Sequence, residues 1–343
     1  MYSLSILFMA SLRQICKAKR EYLSPQSLNY QNYFEHLGAF NEAILSDAAD
    51  LFKEWFAEIE DTTICTTGSD SRLEKGPKSD LELLLLLPEK NGEKNDLNDL
   101  KYIIKNCEEI KFDEDIELKY VEEGGLSETT IETQDGKTIK LTSPDRMIDC
   151  CYLAGSSYLY NRARKKFEKE LREPQYGKKI LRRVKDRLRD HRNITNTGTQ
   201  KYKGGYINHF NTHTGEVFYD PKNNIYGFKQ GPLRAIQTSI IRDFVKEIKD
   251  ENVEEEYFFT CKGYNRPKGI VSKMNYLRVR DMINLKEEDF KDLTDCYKFF
   301  LWGYHVSESR YHNQGVSVVE FEKKETKDRL DFVHKISKEQ IIK

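Results

Sequence analysis

The apolar positions change period several times along the chain, and each change marks an element. Across residues 30–60 (YQNYFEHLGAFNEAILSDAADLFKEWFAEIE) they recur at helical spacing, which predicts one or two helices ahead of the first strand. Thr62 to Thr67 reads as that strand. A turn rich in Gly, Ser, Pro and Lys then leads to Leu81–Leu87, an unbroken apolar run of the length of a strand buried on both faces, and Pro88 ends it. Residues 88–98 are polar, Leu97 to Cys107 has the period of a helix, and Lys111 to Val121 alternates like a strand. Gly124 to Leu141 predicts a hairpin around Gln134-Asp135-Gly136, since Asp-Gly tolerates the positive φ of a tight hairpin turn. From Pro144 onward the pattern is mainly helical, and the last hundred residues read as a helical bundle. The expected class is therefore α+β. A small mixed-sheet domain with N-terminal helices occupies 1–143, and a mainly α-helical domain occupies 144–343, two domains being the usual division for 343 residues.

Composition narrows the picture only modestly. With 38% hydrophobic, 33% charged and 12% aromatic residues, the chain is that of a folded globular protein rather than a disordered one. Its seven cysteines show neither a C-x-x-C pair nor zinc spacing, so reduced, buried thiols are expected. Leu4 to Ala10 is the sole apolar stretch near the start. It has no basic segment before it and is far shorter than a bilayer span of about 20 residues, which predicts a cytoplasmic protein with no membrane partner.

The net charge of −1 conceals a basic run. Residues 161–192 hold 14 Lys and Arg against 5 Asp and Glu. Interspersed acids and apolar residues favour a solvated amphipathic face over a track for phosphates, and this run is the one cue for nucleic acid. Residues 196–232, rich in Gly, Asn, Tyr and His, form a stretch too long for an idle connection. His209 and His213 are four apart without an H-E-x-x-H pattern, while His305 and His312 stand among aromatics as structural histidines do.

The chemistry concentrates in Ile64-Cys-Thr-Thr-Gly68-Ser69-Asp-Ser-Arg72-Leu-Glu74-Lys-Gly-Pro-Lys78-Ser79-Asp80-Leu-Glu82. A Gly-Ser turn at a strand end lets the backbone approach a phosphate, with Ser69 adding a hydroxyl and successive N–H groups forming an anion nest. Asp80 and Glu82 alternate onto one face of the next strand, about 7 Å apart, close enough to share one or two hard cations. Two such ions would stabilise the attacking and leaving oxygens of an in-line displacement at an α-phosphate. The third carboxylate is Asp115 or Glu117, which share a face of the later strand.

In this order, Gly68-Ser69, Asp80-x-Glu82 and Asp115 or Glu117 resemble the pattern of the DNA polymerase β nucleotidyltransferase superfamily. The longer Gly-Ser-x-x-Arg-x-Glu form, with Arg72, Glu74 and Ser79, looks like the branch of the protein-PII uridylyltransferases and related signal-transduction nucleotidyltransferases. Thr142 to Asp149, continuing to Leu153-Ala-Gly155, is similar to that branch's helix after the catalytic sheet. Phe228-Lys229-Gln-Gly231-Pro232-Leu233-Arg234-Ala235 resembles its Lys-x-Gly-Pro-Gly-Gly-Leu-Arg-Asp element, with two glycines missing and Ala235 where the family has an acid. Glu82 in place of the commoner Asp also occurs in aminoglycoside nucleotidyltransferases.

The resemblance implies a polymerase β-like catalytic domain. Magnesium, or manganese, would be held by Asp80, Glu82 and Asp115. Gly68, Ser69, Arg72, Glu74, Lys78, Ser79, Lys229 and Arg234 would surround the nucleoside triphosphate. AMP or UMP would pass from it to a hydroxyl of a protein or small-molecule acceptor. Two other readings share the fold: a nucleotide-binding or sensing protein with weak chemistry, and an RNA-modifying nucleotidyltransferase.

Overall fold

The computed structural model describes residues 29–55, 62–76, 79, 81–88, 116–121, 128–132, 138–142, 144–173, 201–202, 205–206, 219–220, 225–228, 232–249, 269–283, 285–310, 318–319 and 323–339. Helix α1, Tyr30–Trp55, begins where the Asn29 side chain accepts a hydrogen bond from the Asn32 amide (2.9 Å), satisfying one of the orphan donors of the first turn. Its buried residues Tyr33, Leu37, Phe40, Ala48 and Phe52 fall three or four apart, as the sequence pattern predicts.

Strand β1, Thr63–Thr66, and strand β2, Leu83–Leu87, pair antiparallel with Cys65 opposite Leu84. Alternation divides their side chains between the faces: Cys65, Leu84 and Leu86 enter the main core, and Ile64, Leu83 and Leu85 are buried on the other side. Strand β3, Ile116–Tyr120, runs parallel to β2, and the hairpin β4–β5, Glu128–Glu132 and Thr138–Thr142, continues the sheet antiparallel. The expected helix at 97–107 and the Gln134-Asp135-Gly136 turn lie outside the described residues.

The sheet does not end at residue 143. After the short helix α2, Gly68–Ser71, and the single-turn helix α3, Pro144–Ile148, strand β6, Cys151–Gly155, pairs antiparallel with β1 and completes a six-stranded mixed sheet of order β5-β4-β3-β2-β1-β6. Only Pro144–Ile148 of the segment expected to be helical is helix; Leu153-Ala-Gly155 is strand. The reason is non-local: β1 is buried at every residue and needs a partner on its second edge. Gly155 adopts φ +87°, and a Cβ there would collide with the Thr62 carbonyl oxygen, so a side chain at this position would part the two strands.

Helix α4, Ser157–Arg172, is capped by Ser156, whose hydroxyl accepts from the Leu159 amide (3.2 Å). It packs against β1, β2 and β6 through Leu159, Ala163, Phe167 and Leu171, while Arg162, Lys165 and Lys169 stay outside, as expected of an amphipathic face. Residues 174–192 of the basic run lie outside the described residues.

Helices α5 (Arg234–Lys249), α6 (Ile270–Val279), α7 (Glu287–Arg310) and α8 (Lys323–Glu339) make the described part of the remainder predominantly helical. Of the stretch at 196–232, short strands are described at Lys201–Tyr202, Gly205–Tyr206, Tyr219–Asp220 and Ile225–Gly227. One continuous apolar core runs from Tyr33 through Leu84, Phe167 and Phe300 to Ile336, so the two halves share their interior. The architecture is α+β. Among the described residues no helix is long and apolar enough to cross a membrane.

The thiols and histidines behave as expected where they are described. Cys65, Cys150 and Cys296 are buried and Cys151 is half-buried, none of the four in a disulfide, and burial pushes the Cys65 thiol well above its ordinary range. His305 is buried and bonded through Nδ1 to the Tyr33 hydroxyl (2.9 Å). His209, His213 and His312 lie outside the described residues.

Candidate active site

The turn that follows β1 is built around two positive φ angles. Gly68 adopts φ +61° and Leu73 φ +60°, so the chain closes one helical turn and folds back within a few residues. The Glu74 amide donates to Ser69 O (2.9 Å) and the Leu73 amide to Asp70 O (3.0 Å). Asn41 of α1 braces the far side by donating to Lys75 O (3.0 Å).

Asp70 locks this turn to the head of β2. Its buried carboxylate accepts the Glu82 amide (2.8 Å) and the Lys75 ammonium (2.6 Å). Burial raises its pKa to about 6 against the opposing pull of Lys75.

Fixed in this way, the Glu82 side chain lies directly over Gly68. A Cβ at position 68 would collide with Glu82 Oε2 and come within 3.3 Å of an Arg146 nitrogen, so only glycine leaves room for both. Arg146, from α3, forms an ion pair with Glu82 and donates through the same nitrogen to Thr67 Oγ1 (3.1 Å). Burial works against the charge on Glu82, but Arg146, then Lys75 and Arg234, outweigh it and hold the carboxyl at about 2. It is therefore ionised at any physiological pH while its side chain remains 31% exposed. An ionised, accessible oxygen ligand beside a glycine that leaves the backbone open fits a hard divalent cation with a phosphate.

Arg72 and Glu74 turn the other way. Arg72 bonds through Nε to Glu74 (3.0 Å) and through a terminal nitrogen to Asp149 (2.6 Å), and Asp149 also accepts from Lys273 of α6 (3.0 Å). Glu74 Oε1 accepts the Ile270 amide (2.6 Å), so a residue from the turn caps α6 and complements its dipole. Glu74 Oε2 accepts the Tyr297 hydroxyl (2.8 Å), which in turn accepts from Gln237 (3.0 Å).

The six side chains of this network, Arg72, Glu74, Asp149, Gln237, Lys273 and Tyr297, are all buried. Burial would drive a proton onto Asp149, but Lys273 and then Arg72 keep it below the ordinary carboxylate range. Burial, followed by the charge on Glu74, pushes the Tyr297 hydroxyl up. These groups are engaged with one another rather than presented to a nucleotide.

Of the residues singled out in the sequence, the structure brings Gly68, Ser69 and Glu82 to one corner, with Arg234 contributing to its field. Ser79 is half-buried, its amide donating to Gly76 O (3.2 Å). Glu117 stands in register with Leu84, two residues along β2 from Glu82. Lys78, Asp80, Asp115 and Lys229 lie outside the described residues. Among the described residues no group of three or more His, Cys, Asp or Glu is placed to hold a metal ion.

The residues that pattern reading passed over are Asp70, Lys75, Arg146, Asp149, Lys273 and Tyr297. Arg146 had a local signal, since burying Met147 and Ile148 of so short a helix leaves the neighbouring arginine for another side. No protein-family model and no curated protein matches this chain.

Proposed function

We propose that the chain is a magnesium-dependent nucleotidyltransferase that moves AMP or UMP from a nucleoside triphosphate to a hydroxyl of a protein or small-molecule acceptor and releases pyrophosphate. The observation that carries this reading is the corner in which Gly68, at positive φ, and the ionised Glu82 carboxylate are locked against each other by Asp70. Such a transfer asks the protein for position and charge rather than covalent chemistry. The turn offers main chain to the phosphates, and Glu82 offers a metal ligand. Asp80 and one of Asp115 and Glu117 complete the ligand set on the sequence pattern, and Ser69, Lys78, Ser79, Lys229 and Arg234 supply the triphosphate side.

Magnesium or manganese bound there would withdraw charge from the α-phosphate and stabilise both oxygens of the in-line exchange. The acceptor oxygen bonds to the α-phosphorus, the bond to the bridging oxygen breaks, and the hydroxyl proton passes to the carboxylate that is spared from the metal. Incubation with ATP or UTP labelled at the α-phosphate, magnesium and a lysate as acceptor source is expected to transfer label and release pyrophosphate. Both should vanish in an Asp80→Ala/Glu82→Ala variant. Absence of pyrophosphate release with every nucleoside triphosphate overturns the enzymatic reading.

The Glu82–Arg146 pair favours one second reading, a nucleotide sensor of the same fold whose carboxylate stays with the guanidinium. Nucleotide binding without pyrophosphate release is its mark.

A further inference from the structure

We propose that Arg146 is the guanidinium that receives the phosphates of the nucleotide, and that its pairing with Glu82 is a resting contact exchanged on loading: the carboxylate passes to the cation and the guanidinium to phosphate. The inference rests on the nucleotidyltransferase reading and deepens it.

The sequence pattern offers Arg72 for the phosphates, but Arg72 is 6% exposed and clamped between Glu74 and Asp149. Moving it would strand two buried carboxylates, a change costly enough to unfold the network. Arg146 is the opposite case. Its side chain is 24% exposed, its partner Glu82 31%, and both lie over Gly68, where the missing side chain keeps the floor open. Separating them gives up the Glu82 pair and the Thr67 hydrogen bond, which cation and phosphate would replace at a corner already open to solvent.

The pivot is nevertheless firm. Met147 and Ile148, next in the chain, are buried in the core, and Asp149 is tied to Arg72 and Lys273. The guanidinium can therefore swing from a fixed backbone.

Charge supplies the direction of the swing. Once Glu82 holds a cation, Arg146 faces a like charge within a few ångströms and loses its attraction to the site. A triphosphate beside Gly68 offers pairs of anionic oxygens that the planar, forked guanidinium binds bidentately and an ammonium binds only as a point charge.

The test is calorimetry on the full chain in two arms: ATP or UTP in the presence of a chelator, and Mn2+ alone. For Arg146→Ala the metal-free nucleotide affinity is expected to fall about tenfold or more. Mn2+ alone is expected to bind about threefold tighter or better, because the cation paired with Glu82 is gone and only the weaker pulls of Lys75 and Arg234 remain. Arg146→Lys, which keeps the charge without the fork, should lose about threefold or more in the nucleotide arm and leave Mn2+ affinity unchanged, and that nucleotide loss is the criterion should the alanine variant not fold.

Nucleotide affinity within about twofold of wild type, or weaker Mn2+ binding, overturns the assignment. If the wild type binds both ligands and the variants match it, only the role of Arg146 falls. If the wild type binds neither, the nucleotidyltransferase reading falls with it.

Discussion

Two sets of ion pairs leave the same stretch, Gly68 to Glu82, and meet different surroundings. Arg72 and Glu74 are sealed among Asp149, Lys273 and Tyr297, whereas Glu82 meets Arg146 at the edge of solvent. In the buried set every charge is held by at least one opposite charge or hydrogen bond, because a lone ion in low dielectric would not survive folding. In the exposed set water shares the load, so the pair can be broken without endangering the fold. A cluster of charged residues beside a glycine turn is thus two devices, one structural and one available for chemistry, and burial is what separates them.

Removing one side of the buried set should have the largest effect. Asp149→Ala leaves Arg72 and Lys273 without their shared carboxylate and is expected to cost about 3–5 kcal/mol in urea unfolding with an unchanged m-value. A loss under 1 kcal/mol would show that the network is solvated.

The second effect is on pH dependence. The folded-state pKa of Asp70, about 6, exceeds the ordinary 3.8, so between these values the native state binds its proton more tightly than the unfolded chain does. Stability from this group therefore falls as pH rises from about 4 to about 6, by roughly 1–3 kcal/mol. Comparing the wild type with Asp70→Asn by denaturant unfolding across that window isolates it; parallel curves would remove Asp70 as the cause. Glu82 has the opposite sign, because its folded value of about 2 lies below the ordinary 4.5 and its contribution is lost as pH falls between them.

Gly68→Ala should be milder for stability and severe for binding. The left-handed backbone costs a non-glycine residue about 1–2 kcal/mol, and the new methyl displaces Glu82. Loss of Mn2+ and nucleotide binding by calorimetry is the expected readout, and retention of both would show that the corner is not where they bind.

The smallest stability effect belongs to Glu82→Gln. It removes a half-buried pair and, with the pKa shift discounted for solvent screening, should shift unfolding by about 1 kcal/mol, yet any nucleotidyl transfer should disappear. A variant with normal activity would break the contrast between the two sets.

Much of this was readable in the chain because the signals were local. The strand reading of Thr62–Thr67 and the unbroken apolar run gave β1 and β2 within a residue or two, the alternation of Lys111–Val121 covered β3, the Asp-Gly pair implied the β4–β5 hairpin, and the helical spacing of Tyr33, Leu37 and Phe40 gave α1. Strand β6 was not readable, since Cys150-Cys151-Tyr152-Leu153-Ala154 is a short apolar run with no period of its own, and its partner β1 lies some ninety residues earlier. The roles of Arg72 and Glu74 were misplaced toward the nucleotide for the same reason. Their partners Asp149, Lys273 and Tyr297 are scattered over the rest of the chain, and nothing in the Gly68–Glu82 motif announces them. The Gly68–Glu82 corner, by contrast, lies within one short motif, although Glu82 stands just ahead of β2 rather than on it.

Strand β6 also bears on how the chain can be dissected. A fragment cut at residue 143 would keep the Gly68–Glu82 motif but bare one side of β1, whose four residues are all buried in the intact protein. Such an apolar, unpaired edge recruits strands from other molecules. The minimal piece to express is therefore one that runs beyond Gly155, and shorter pieces are expected in inclusion bodies rather than in the soluble fraction.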